Sequence, residues 1–118
     1  MTSEQTPQKP DGGLAPAQAH HLGELVKIVE GSIVSRTLQK NASGTVTLFA
    51  FAAGQELSEH TAPFDAHLLA VEGQVQVMIG GKEVTVEAER IVLMPANIPH
   101  AVRAPRSCKF LLIMLRSA

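Results

Sequence analysis

Three histidines in this chain stand where apolar runs meet turns, and they are the side chains best suited to chemistry: His60, His67 and His100. Imidazole binds metals and moves protons near neutral pH, so what these residues can do depends on whether they share one space. The first two lie in GQELSEHTAPFDAHLLAVEG, which runs from Gly54 to Gly73. Glu56–Ala62 reads as a short strand carrying His60, and Pro63 and Asp65 make a turn. His67–Val71 is a second apolar run that stops at the turn pair Glu72–Gly73. Strands on either side of a turn can face each other, which would let His60 and His67 project together. His100 follows in PANIPHAV, at the mouth of another turn-rich stretch.

No competing constellation is visible. The chain has no Ser-His-Asp set, P-loop or dinucleotide fingerprint. Glu56, Glu59 and Glu72 read as solvated strand ends or turns. Asp65 reads as a turn-fixing residue and Asn97 as a backbone position tolerant of positive φ. His20 and His21 belong to no motif, and solvent exposure is expected for both. Met78, Met94 and Met114 read as core fillers that could also line an apolar pocket. Cys108 is the only cysteine, which excludes an internal disulfide. It reads as a small buried hydrophobe, and its isolation fits a reducing cytoplasm.

The elements that must position the histidines are short. Residues 1–20 are polar, proline-rich and without hydrophobic period, as in a flexible tail. Residues 21–118 form the expected domain. Leu22–Val29 fits both helical and strand templates, and its type stays open. Ile33–Lys40 is β-branched and alternating, and NASG follows as a turn. In TVTLFAFAA, Val46, Leu48 and Ala50 share one face, while Phe49 and Phe51 share the other. Such a strand needs cover on both sides. Gln74–Ile79 and Lys82–Val86 alternate around Gly80–Gly81, a hairpin connection. Arg90–Met94, Ala101–Arg103 and Cys108–Arg116 complete the series. About nine or ten short strands, with turns every ~8–12 residues, predict an all-β sandwich or barrel of the jelly-roll kind. The run FLLIML in the last strand is apolar on both faces. Its outer face requires a second sheet, the N-terminal segment or a second subunit, and a homodimer is the economical choice.

Composition excludes several classes. A net charge of −1 with no basic block gives no footprint for nucleic acid or anionic lipid. With 3% aromatic residues the chain offers no stacking platform for single strands. No apolar run is long enough to span a bilayer as a helix, and the N-terminus lacks the order of a signal peptide.

The region Thr45–Leu115 resembles a small single-domain cupin. The cupin pattern has a glycine, five residues, a His-x-His pair, three or four residues, a Glu, six residues and a Gly. A later motif has Pro-x-Gly, two residues, a His, three residues and an Asn. Here Gly54 precedes His60 by the right interval, Ala62 takes the second His place, and His67 takes the Glu place. Gly73 fits the turn. Pro95 and His100 match the later motif, with Asn97 and Ala104 in the Gly and Asn places. The resemblance implies a double-stranded β-helix, or jelly-roll barrel. It also implies that His60, His67 and His100 point inward as the remnant of a metal site. Three imidazoles suit Zn, Fe, Ni or Cu and leave positions open for water or substrate. The resemblance therefore implies a divalent transition metal and a metal-dependent enzyme, dioxygenase or isomerase-like, acting on a small organic molecule. Against this stand Ala62, Ala104 and the lack of an inward carboxylate. They point to a non-catalytic binding or sensing barrel, with or without metal.

Overall fold

The computed structural model describes residues 13–116. A single 3-10 turn, Leu22–Glu24, precedes nine strands. These are β1 (Ile33–Asn41), β2 (Gly44–Phe51), β3 (Glu56–His60), β4 (Asp65–Glu72), β5 (Gln74–Ile79), β6 (Lys82–Glu87), β7 (Ile91–Met94), β8 (His100–Arg103) and β9 (Cys108–Leu115). The expected strands all form, with ends moved by a few residues. The ambiguous Leu22–Val29 resolves to the 3-10 turn followed by irregular chain.

Two antiparallel sheets face each other, in the orders β1-β2-β9-β4-β7 and β3-β8-β5-β6. This is the all-β jelly roll that the alternation predicts. Gly80 and Gly81 close the β5–β6 hairpin at φ 56° and 86°, angles that residues with a Cβ rarely adopt. Gly73 joins β4 to β5 at φ 72°, where a Cβ would come within 2.8 Å of the Ser107 carbonyl oxygen.

Side-chain alternation builds two cores. The inner one lies between the sheets and includes Leu68, Val75, Val77 and Met94 together with three phenylalanines. Phe110 stacks on Phe49 at 5.1 Å and meets Phe51 edge-on at 5.0 Å. The second core lies on the outer face of the five-stranded sheet, where Leu48 and Ala50 are covered by Val26, Leu14, Leu22 and Leu25. Of the expected flexible tail, residues 1–12 lie outside the described residues. Of those that follow, Gly13–Ala15 are packed and Pro16–Ala19 are exposed: Ala15 is buried, and the Leu14 N–H donates to the Leu38 carbonyl at 3.2 Å. His20 is half-buried against the Ala15 carbonyl, whereas His21 is exposed as expected. Lys109 clamps this segment, its ammonium donating to the Gly23 carbonyl at 2.6 Å and pairing with Glu72 at 3.4 Å. Glu72 thus has a structural partner beyond solvent.

The N-terminal segment covers only part of the outer face. Ile91, Leu93 and Leu115 remain exposed there.

Candidate functional site

The connections β3–β4 and β7–β8 meet at one end of the barrel. The Asn97 N–H donates to the Ala62 carbonyl at 2.7 Å, and the Ala96 N–H donates to Asp65 Oδ1 at 2.9 Å. Asp65 therefore fixes the opposite loop as well as starting β4. Asn97 sits at φ 64°, the positive φ expected of it. Together these bonds hold the two loops as one rim.

Below the rim is a cavity of about 260 Å³. Its walls include Leu57, Phe64, Met94, Phe110, Leu112 and Met114, and among the described residues the only polar ones lining it are His60 and His100. A shallower groove of about 290 Å³ crosses the outer face of the four-stranded sheet, between Glu56, Gln76, Met78 and Arg103. It is lined by no histidine, and Arg103 there is already paired with Glu83 at 2.7 Å. The chemistry-bearing residues converge in the barrel cavity.

His60 and His100 are cross-strand partners on β3 and β8. Their rings meet edge-on with centroids 4.4 Å apart. His100 is buried, at 7% exposure, while His60 stands at the solvent end of the pair. Each ring is oriented locally. His60 Nδ1 lies 2.9 Å from the Ser58 carbonyl and His100 Nδ1 lies 3.1 Å from the Ile98 carbonyl. A carbonyl oxygen only accepts, so both Nδ1 atoms carry the proton and donate. In the neutral rings this leaves both Nε2 lone pairs free.

His67 is not part of this set. On β4 the buried residues are Ala66, Leu68 and Ala70, so His67 belongs to the opposite face. It pairs across the sheet with Leu93 of β7 and Ile113 of β9, outside the barrel. The motif count placed it one residue out of phase, and a shift of one residue exchanges the two faces of a strand. The inward neighbour at this place is Ala66, which lines the cavity as Ala62 does. Neither alanine can donate to a metal. Among the described residues, no group of three or more His, Cys, Asp or Glu side chains comes together to hold an ion. The three-histidine centre is therefore not assembled. The donors present supply two imidazoles, short of the three protein ligands usual in a catalytic zinc site.

The sequence reading missed two features. One is the β-bulge between Leu57 and His60. The other is the position of Arg116, which follows the end of β9 and lines a small cavity with Phe64 and Met114.

Comparison with known proteins agrees with this architecture. The family model for the cupin domain matches residues 47–114, more than half of the chain. The chain belongs to the cupin family. This cupin is similar to the crystal structure of a conserved protein of unknown function from Streptococcus pyogenes. The two share 28% identity and a TM-score of 0.86, over 90% of this chain and 93% of that one. A cupin superfamily protein from Desulfitobacterium hafniense shares the fold, at TM-score 0.84 and 24% identity over 89% and 96% of the two chains. A Cupin 2 conserved barrel domain protein from Leptotrichia buccalis is 35% identical with TM-score 0.77. That match covers 80% of this chain and 46% of that one, so this cupin spans about half its length. No curated protein matches the chain. Among the described residues, no helix is long and apolar enough to cross a membrane.

Proposed function

We propose that this cupin is a non-catalytic binding barrel for a small, largely apolar molecule, held in the cavity whose wall carries His60 and His100. The observation that carries the reading is the cavity of about 260 Å³, whose polar lining, among the described residues, is that histidine pair. Small-molecule sites are concave and mostly apolar with a few convergent polar groups. The volume suits a compact ligand, since a water occupies ≈ 30 Å³ in the liquid. Among the described residues no carboxylate lines the cavity beside the two imidazoles. The homodimer expected from the sequence belongs to the same proposal, through the apolar face left around Leu93.

The test uses protein labelled with ¹³C at its methionine methyl groups and titrated with hexanamide. Met94 and Met114 line the cavity, whereas Met78 lies on the outer face of the other sheet. Movement of the first two signals without the third supports the reading, and Ala66→Leu, which fills the cavity, abolishes it. Movement of Met78 alone, or of no signal, sinks it.

A second reading is favoured by the orientation of the two rings. With both Nδ1 atoms donating to carbonyls, the two Nε2 atoms are ready to bind a divalent transition metal, with water or ligand completing its shell. Such an ion, when bound, supplies Lewis acidity to an oxygen donor. Calorimetric titration of untagged protein with Zn²⁺ and Ni²⁺ tests it. A stoichiometric site lost in His60→Gln and in His100→Gln supports this reading, and absence of binding at millimolar metal rejects it.

A further inference from the structure

We infer that the barrel's ligand is a small amphipathic monoanion, with its carboxylate at the Arg116 side of the mouth and its apolar body in the cavity. The inference rests on the binding-barrel reading above and names the ligand class.

The residues of β9 that face the barrel are Phe110, Leu112 and Met114. Arg116 is the next position in that series. Its own N–H donates to the Ser43 carbonyl at 2.8 Å, which fixes it beside the turn between β1 and β2. Its guanidinium carbon lies 5.9 Å from the centroid of the Phe64 ring, within cation–π range. Phe64 and Met114 also line the main cavity, so the guanidinium stands at its edge.

A second, smaller cavity of about 30 Å³ adjoins at this place, lined by Thr45, Phe64, Met114 and Arg116. It is wide enough for one water or one carboxylate group. Thr45 Oγ1 is buried and has no hydrogen-bond partner among the described residues. A buried hydroxyl left unpaired is costly, so this atom calls for a partner. Thr45 stands opposite Met114 in the β2–β9 register, which puts it on the inner face.

Charge balance points the same way. No carboxylate lines either cavity, and none pairs with Arg116 among the described residues. Asp65 lies opposite Leu115 and would be the nearest competitor by register, but its Oδ1 accepts from the Ala96 N–H. A guanidinium offers a fork of donors that matches a carboxylate, and the Thr45 hydroxyl adds one more. One arginine and one hydroxyl suit a single negative charge. The histidines sort the orientation: in their neutral form the free Nε2 atoms accept, so they repel a carboxylate and favour a donor. The anion therefore belongs at Arg116.

The experiment compares hexanoate with hexanamide, equal in chain length, on the full chain carrying ¹³C-methyl methionines, at constant ionic strength. Hexanoate should bind roughly tenfold more tightly than hexanamide, with both probes moving Met94 and Met114. Arg116→Gln should bring hexanoate down to the level of hexanamide, and Arg116→Lys should keep part of the preference. Equal affinity of the two probes in the wild type overturns the monoanion assignment and leaves the binding barrel standing. So does a preference that survives Arg116→Gln. If neither probe moves Met94 or Met114, the binding-barrel reading falls, and this inference with it.

Discussion

His60 faces His100 because β3 carries one extra residue between Leu57 and His60. Leu57 pairs with Val102 and His60 with His100, so two residues of β3 stand opposite one residue of β8. Strict alternation from Leu57, which faces inward, would have turned His60 to solvent. The bulge restores it to the cavity, which is how bulges commonly re-aim a side chain.

The two rings should differ in their effect on stability. His100 is buried and its Nδ1 satisfies the Ile98 carbonyl, whereas His60 is exposed. His100→Ala should lower the unfolding free energy by about 1–3 kcal/mol, through the lost packing and the unpaired carbonyl. His60→Ala should stay within about 0.5 kcal/mol, as surface changes usually do. Urea unfolding of both variants measures this. Equal losses would mean that the pair is not layered as described.

The same region marks the limit of sequence reading. The strands were readable because they alternate and are punctuated by glycine turns, and Phe49 and Phe51 facing away from Leu48 follows from period two alone. His60 and His100 were readable from motif spacing, although the bulge that makes His60 face inward leaves no mark in local alternation. His67 was misplaced because a motif interval that tolerates one residue cannot fix the phase of a strand, while the pattern Ala66, Leu68, Ala70 does. Those alanines are small enough to pass as loop residues, so the signal was available but weak. Arg116 was hidden for a different reason. Its role depends on Phe64 and Thr45, which only tertiary pairing brings near it.

Lys109 and Gly23 supply a test of the N-terminal cover. The Lys109 ammonium is largely buried and bridges the Gly23 carbonyl and Glu72. Lys109→Met keeps the apolar stem but leaves that carbonyl unpaired. Amide exchange in residues 14–26 should rise at least tenfold, while β5 and β8 exchange as before. Uniform acceleration would show instead that the segment unfolds only with the whole barrel.

Cys108 gives a pH dependence of definite sign. Burial pushes its thiol from 9.0 up to about 11, because the thiolate cannot be solvated beneath the sheets. The folded state holds this proton more tightly than the unfolded state does. Its contribution is fully present below pH 9 and is lost as pH rises towards 11, by roughly 2–3 kcal/mol in all. Subtracting the profile of Cys108→Ala isolates this component. A difference that is flat across this range would contradict the burial of the thiol. Iodoacetamide at pH 8 should likewise react with the native thiol far more slowly than with the unfolded one.

The outer face of the five-stranded sheet leads to the last expectation. Cross-strand pairing sets Ile91 beside Leu69, and Leu93 beside His67 and then Ile113. Ile91 is 59% exposed, Leu93 47% and Leu115 50%, and in their rows on β7, β4 and β9 the one charged residue is Asp65, opposite Leu115 at the end of the sheet. An apolar face of this kind can pack on its own copy about a two-fold axis, with Ile91 and Leu93 at the centre and Asp65 at the rim. Sheets stack face to face at ≈ 10 Å, which would bury these side chains as the N-terminal segment buries Leu48. Sedimentation at micromolar concentration should therefore give a dimer. Leu93→Glu should convert it to a folded monomer, because a carboxylate at the centre of the contact would meet its own copy. Glu87→Lys, on the other sheet, should leave the dimer intact. A wild-type protein that sediments as a monomer at 100 µM would remove the second copy as the cover, and leave β7 as an edge strand protected only by its short length.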